Sequence, residues 1–375
     1  AGGRPAGLWP AGEAAPPAGT DAPADEWPAA GAAPPTGTRR RRPAAAVRWA
    51  LAGTAAVAAV VVAVVLLGGG GNPVARPTPT PTTTATPAAP AVARVAKTIT
   101  GVSDRPNGVV LAGGDLWVSS ARQPRLTRIE AATGTERDDH PKVGDDVTAI
   151  TAFDDDVWVT VGSTREVLKL DGRTGKVRTR WTVEGTPVRL AVDESGAWVG
   201  TQAQDDGPGV LRHYDLAGHP IQTLTVNEGI GGLVVGGGAT WVIKARTNKV
   251  ARLLPGQTVL SDWAALPAPA AAMGYDDGAL WVTLDEDAIA RIIAAGGNLR
   301  TAAAGRSPAQ SVLAGGHLFV ASRNDDTVVV LNPATLKLVG EPIGVGANPY
   351  AMVADERSVW VTGLGDNTLT RLDYR

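Results

Sequence analysis

Between residues 115 and 372 the chain repeats one short sentence with changed lettering: "DLWVSSARQPRLTRI", "DVWVTVGSTREVLKL", "ALWVTLDEDAIARI", "SVWVTGLGDNTLTRL". Its aromatic falls at Trp117, Trp158, Trp198, Trp241, Trp281, Phe319 and Trp360, with spacings of 41, 40, 43, 40, 38 and 41 residues. Seven units of about forty residues match the period of a four-stranded propeller blade. Each unit opens on an apolar run such as "GVVLAGG", "RLAVDES", "SVLAGGH" or "AMVADER". A Gly/Asp turn, the aromatic strand and a polar loop follow. A third strand then ends in a basic–apolar pair, a "TG"-like turn comes next, and a fourth strand closes the unit. Two-residue alternation with Asp, Gly and Asn at the joints gives antiparallel hairpins, and no segment here sustains a helical period.

The ends of the repeat decide between a ring and an open array. The last unit stops at "NTLTRLDYR", one strand short. The region opens on an orphan strand, "ARVAKTITGVSDRPN", which resembles the fourth strands elsewhere. If Ala93–Gly101 pairs beside Thr368–Tyr374, all seven sheets have four strands and the ring is shut by main-chain hydrogen bonds. The fold expected over residues 93–375 is therefore an all-β, seven-bladed β-propeller with N-terminal-strand closure. The aromatic column reads as packing between blades. The basic column of the third strands (Arg128, Lys169, His213, Arg252, Arg291 and Arg371, with Val330 the exception) reads as side chains snorkelling at blade edges or pairing with acids. Asp clusters such as Asp154–Asp156 read as turn residues.

The first quarter of the chain has a different composition. Residues 1–45 are rich in Ala, Pro and Gly with few large apolar side chains, the signature of a disordered segment. In the segment 46–68, nineteen residues from Trp49 to Leu67 carry no charge, and Arg39–Arg42 and Arg48 lie before them. A helix of nineteen residues is roughly 28 Å long, enough to cross a bilayer, and the positive flank predicts a cytoplasmic N-terminal side. Residues 69–92, "GGGNPVARPTPTPTTTATPAAPAV", alternate Pro and Thr and read as an extended stalk. The expectation is one transmembrane helix, with the propeller extracytoplasmic. Charge divides the same way: seven Arg against four acids over residues 1–92, and 28 Lys/Arg against 33 acids over 93–375. Such a balance argues against a nucleic-acid partner. There is no cysteine, which excludes disulfides, thiolate metal sites and cysteine nucleophiles.

The repeated unit, in which an "LWVT"-type strand is followed by "TLTRLD" and "TG" phrases, resembles the YVTN/NHL-type propeller blade, also found in streptogramin-lyase-like proteins. The order of basic disordered segment, single span, Pro/Thr stalk and propeller resembles the sensor half of actinobacterial receptor-like serine/threonine kinases. That resemblance implies a kinase domain upstream of Ala1, because no Gly-rich phosphate loop, "HRD" or "DFG" occurs in this sequence.

In a four-stranded meander one face carries the short hairpin turns. The other carries the loops between strands two and three and the blade-to-blade crossovers. The latter vary from blade to blade, and variable loops on a rigid ring are where recognition concentrates. The candidate ligand-binding residues there are Arg122, Arg125, Arg165, Gln204, Arg246, Asp285, Arg323 and Asp366. At the crossovers Asn107, Arg189, Gln310 and Tyr350 are expected to ring the channel mouth. Their mixed charge suits a polar small molecule, a peptide or a protein from outside the cell or from the envelope. No cofactor or metal is expected. An enzyme would need His and Glu converging on the channel, yet His140, His213, His219 and His317 all map to strands or turns away from that face. The leading reading is an extracytoplasmic ligand-binding or sensor module, signalling through ligand-dependent homodimerisation. A freestanding membrane-tethered scaffold and a lyase-like enzyme are the alternatives.

Overall fold

The computed structural model describes residues 92–120, 122–202 and 208–375. The segments read above as disordered (1–45), spanning (46–68) and stalk (69–92) lie outside them, apart from Val92, as does Gln204. Among the described residues no helix is long and apolar enough to cross a membrane.

The described chain forms seven antiparallel sheets of four strands each. Blade 1 spans residues 106–136, blade 2 147–182, blade 3 186–226, blade 4 230–265, blade 5 270–303 and blade 6 308–344. Blade 7 takes three strands from 349–374 and its fourth, Ala93–Thr100, from the start of the region. That pairing runs from Ala93 opposite Tyr374 to Thr100 opposite Thr368, with one bulge between Val95 and Lys97. The first strand of every blade contacts the first strands of both neighbours, so the seven innermost strands form a closed ring. Closure leaves one short stretch of helix among the described residues, a single turn at Arg323–Asp325.

The repeated aromatic lies in the second strand of each blade and is buried in all seven. Burying a Trp removes roughly 150–250 Å² from water, an upper bound of about 4–6 kcal/mol each at ~25 cal/mol/Å². The basic column turns out to be its cross-strand partner. Trp117 sits opposite Arg128, Trp158 opposite Lys169, Trp198 opposite His213, Trp241 opposite Arg252, Trp281 opposite Arg291 and Trp360 opposite Arg371. Five of these cations lie 4.9–5.9 Å from the ring centroid of the facing Trp. His213 stacks on Trp198 with centroids 4.1 Å apart and planes 4° from parallel. In blade 6 the aromatic is Phe319 and its partner is Val330. The indole face is the better cation site, so the exception in one column explains the exception in the other. Acids complete the pairing expected from sequence: Arg128 with Asp115 at 2.7 Å, Lys169 with Asp156 at 3.1 Å, Arg371 with Asp373 at 2.7 Å.

Neighbouring blades approach closely at the first hairpin turns. At Gly237, φ is +62° and an added Cβ would lie 2.2 Å from the Tyr275 hydroxyl of the next blade. Only glycine meets both conditions.

Candidate functional site

Ring closure makes a channel lined by the seven first strands, with a cavity of about 550 Å³ against blades 1, 2, 5, 6 and 7. In every blade the pairing of first and second strands slips near the start of the first strand, between Pro106 and Gly108 in blade 1 and between Pro187 and Arg189 in blade 3. Bulges of this kind re-aim side chains. Here they turn polar side chains toward the next blade. Asn107 Nδ2 donates to Val147 O (3.3 Å), Thr148 Oγ1 to Pro187 O (2.7 Å), and Arg189 Nε and Nη2 to Gly231 O (3.0 and 2.9 Å). Thr283 Oγ1 donates to Ala309 O (2.5 Å), and Gln310 Oε1 accepts from Met352 N–H (2.8 Å). Each bond joins a blade to its successor. Thr148 and Thr283 were missed by the sequence reading. A Thr in a strand offers no sign that its hydroxyl leaves its own sheet.

Three of the four residues assigned to the channel mouth line this cavity, and Arg189 does not. Asn107, Gln310 and Tyr350 line the cavity, together with Arg323 and a wall of mixed polar and apolar surface that includes Leu111, Ile150, Thr151 and Met352. The lining contains no residue of blades 3 or 4. That sector is crossed by the Arg189 side chain on its way to Gly231. Burial pulls the Arg189 guanidinium below the usual arginine range, and Tyr350, from blade 7, acts in the opposite direction.

The turns around the mouth are more regular than their sequences suggest. Just before the third strand, Arg165, Asn248, Asp287, Asp326 and Asn367 all have φ between 51° and 60°. The carbonyl of each accepts a crossover N–H: from Val183, Leu266, Ala304, Val345 and Val102 respectively. Three of the side chains repeat the act one turn further on. Asp287 Oδ1 accepts from Ser307 N–H, Asp326 Oδ1 from Asn348 N–H and Asn367 Oδ1 from Arg105 N–H, each at 2.8 Å. Asp and Asn tolerate this left-handed backbone and bond locally, so they recur there for structural reasons. The signal was present in sequence, as "NKV", "DAI", "DTV" and "NTL", each an Asn or Asp directly before a strand.

The remaining candidates divide between that scaffold and the rim. Asp366 accepts from Ala347 N–H (2.9 Å) and Thr368 Oγ1 (2.8 Å), which makes it a cap. Arg125 donates to His140 O (2.7 Å) and Arg122 lies 4.0 Å from Asp104. Arg165 is exposed on its turn, and the Arg246 N–H donates to Glu228 O (2.9 Å). Arg323 donates to Ser307 O (3.3 Å) and Ser307 Oγ (2.6 Å). Asp285 is exposed and is not in the cavity lining. The surrounding protein pushes its carboxyl above the usual range, and Arg323 pulls it back. Thus Asn107, Gln310, Arg323 and Tyr350 share one cavity, Arg189 is bonded to Gly231 outside its lining, and Asp285 lies within electrostatic reach of Arg323. Arg122, Arg125, Arg165, Arg246 and Asp366 are not in its lining.

None of the four histidines lines the cavity. His219 pairs with Asp215 at 2.8 Å, His140 with Glu136 at 3.3 Å, and His317 Nδ1 lies 2.9 Å from Gly315 O. Among the described residues no group of three His, Cys, Asp or Glu is placed to hold a metal ion.

No protein-family model and no curated protein matches the sequence. Solved structures do. The chain is similar to a streptogramin B lyase (14% identity, TM-score 0.63), covering 74% of this chain and 96% of that one. It is also similar to virginiamycin B lyase from Staphylococcus aureus (16%, 0.62), covering 76% and 100%. A chain of the mitotic checkpoint complex matches as well (14%, 0.63), covering 75% and 92%. At such identities the likeness shows a shared seven-bladed fold and leaves function to the site.

Proposed function

We propose that this propeller is a ligand-binding sensor, anchored by a single span with its N-terminal side in the cytoplasm and its ring outside. In this reading it is the sensor part of a receptor-like serine/threonine kinase. One observation carries the binding role. Two residues beyond the last pair before the slip, the blades carry in turn Gly108, Ala149, Arg189, Gly232, Ala272, Gln310 and Ala351. Five of the seven are Gly or Ala; an added Cβ at Gly108 would meet Ile150 and Ser119, and at Gly232 it would meet Ile243, so there the small residue makes room for its neighbours. The two large polar exceptions come from blades three apart, on opposite sides of the ring. Gln310 lines the cavity, and a ligand there would be oriented by its amide together with Asn107, Arg323 and Tyr350. The apolar segment 49–67, its Arg-rich flank and the Pro/Thr segment support the placement outside the membrane.

A thermal-shift screen of the full chain against envelope-derived small molecules tests binding, and protease accessibility in intact cells tests placement. The expected outcome is a compound that raises the melting temperature in the wild type and not after Gln310→Leu or Tyr350→Ala. A ring protected from external protease, or a screen without a single such compound, would sink the proposal.

A further inference from the structure

The polar side chains that line the cavity divide by what their internal hydrogen bonds leave over. Asn107, Ser119 and Thr148 are engaged with the ring itself. Ser119 Oγ donates to Asn107 Oδ1 (2.9 Å), Asn107 Nδ2 to Val147 O (3.3 Å) and Thr148 Oγ1 to Pro187 O (2.7 Å). Gln310 and Arg323 are engaged only in part. Gln310 meets Met352 N–H (2.8 Å), and an N–H can meet only the oxygen of the amide. Both hydrogens of Gln310 Nε2 are therefore left without a protein acceptor among the described residues. Arg323 uses Nε and Nη2 on Ser307, which leaves the hydrogens of Nη1 in the same condition. These two nitrogens can only donate. The other polar side chains of the lining, Thr151 and Tyr350, are hydroxyls that donate or accept.

Both donors come from blade 6, where Pro308 pairs with Ser322, two residues before Gln310 and one before Arg323. Gln310 is exposed although it lies in an innermost strand. Such a strand borders its own blade, the two neighbouring blades and the channel, so the exposed surface belongs to the channel. No acid lines the cavity, and among the described residues no carboxylate lies within ion-pair distance of Arg323; Asp285 is within its electrostatic reach but outside the lining. Donors beside an unpaired guanidinium favour an oxyanion, because hydrogen bonds between charged partners are the strong ones. The hydroxyls and the mixed polar and apolar wall favour a hydroxylated body over a purely apolar one. We infer that the cavity binds a small hydroxylated carboxylate, of the sugar-acid type, with its carboxylate on Gln310 Nε2 and Arg323 Nη1. This inference deepens the ligand-binding reading above and rests on it.

The test titrates the full chain calorimetrically, at neutral pH, with D-glucuronate and with its neutral isostere D-glucuronamide. The expected result is a preference for the carboxylate of about tenfold or more, equivalent to about 1.4 kcal/mol. Gln310→Glu keeps an oxygen for Met352 N–H and puts negative charge where Nε2 was, so it should reverse the preference. Arg323→Gln should bring acid and amide close to parity. The wild-type comparison needs no variant, and a melting curve shows which variants are folded. Equal affinity for acid and amide, tighter binding of the amide, binding of neither, or a preference unchanged in folded Gln310→Glu overturns the inference. If neither binds while Gln310-dependent neutral compounds emerge from the thermal-shift screen, the ligand-binding reading stands and the anion is wrong. If nothing from either experiment binds, that reading fails with it.

Discussion

Asn367 is the position where closing the ring depends most on one side chain, and its contribution can be worked out piece by piece. It sits at the turn entering the last strand with φ +60°. Its carbonyl accepts Val102 N–H (3.1 Å) and its Oδ1 accepts Arg105 N–H (2.8 Å). These two bonds fasten the chain as it leaves the closing strand and enters blade 1. Asn367→Asp keeps both the acceptor and the tolerance for left-handed backbone, so it should be near neutral. Asn367→Gly keeps the backbone geometry and loses the side-chain bond, a net cost of about 0.5–1.5 kcal/mol. Asn367→Ala loses the bond and also places a Cβ in a conformation that costs it roughly 1–2 kcal/mol. Glycine's extra freedom in the unfolded chain offsets part of that difference. The expected order is Asp, then Gly, then Ala, with Ala about 1 kcal/mol below Gly and about 2 kcal/mol below the parent.

Urea denaturation followed by tryptophan fluorescence measures this, provided the denaturant slope is the same in all four proteins. An Ala variant as stable as the Gly variant would show that the backbone at 367 does not need the left-handed conformation. An Asp variant as damaged as Ala would show that the Oδ1 bond is not what holds Arg105. Either result would refute the reasoning, and with it the structural account of Asp287 and Asp326.

Three further outcomes follow from the same geometry. Arg165 holds φ +54° without an Asn or Asp side chain, so Arg165→Gly should stabilise by about 0.5–1 kcal/mol, read as a melting temperature about 2–4 °C higher; a lower value would contradict it. A double-mutant cycle on Trp281 and Arg291, whose guanidinium lies 5.5 Å from the ring centroid, should give a coupling of about 0.5–1 kcal/mol, and zero coupling would reduce the basic column to a coincidence of register. Burial lowers the His213 pKa from its ordinary 6.5, with the Ser195 carbonyl opposing; the unfolded chain therefore binds the proton more readily, and stability should be insensitive to this group well above pH 6.5 and fall as pH drops below it. Melting temperatures from pH 8 to 5 should show a smaller acid-side loss in His213→Phe, and identical profiles would remove His213 from the account.

The ring was legible because its evidence is periodic. A Trp every forty residues or so, and a missing strand matched by an orphan one, leave few other folds. The basic column was also visible, and its partner could have been read from Phe319 and Val330, where both columns break in the same blade. The site was harder to see, for a definite reason. Asp366, Asp287 and Asn367 look like recognition residues because polar side chains on loops usually face solvent, yet here they cap backbone N–H groups and hold left-handed turns. A polar residue that recurs at one place in most units serves what the units share, which is the fold. Arg189 occurs in one blade only, and its neutral acceptors, the carbonyls of Val188 and Gly231, leave no trace in side-chain identity. Sequence could place it at the channel and could not show that, among the described residues, its hydrogen bonds go to main-chain carbonyls. In a repeat protein, then, uniform polar columns argue for architecture, and a search for recognition starts where the columns differ.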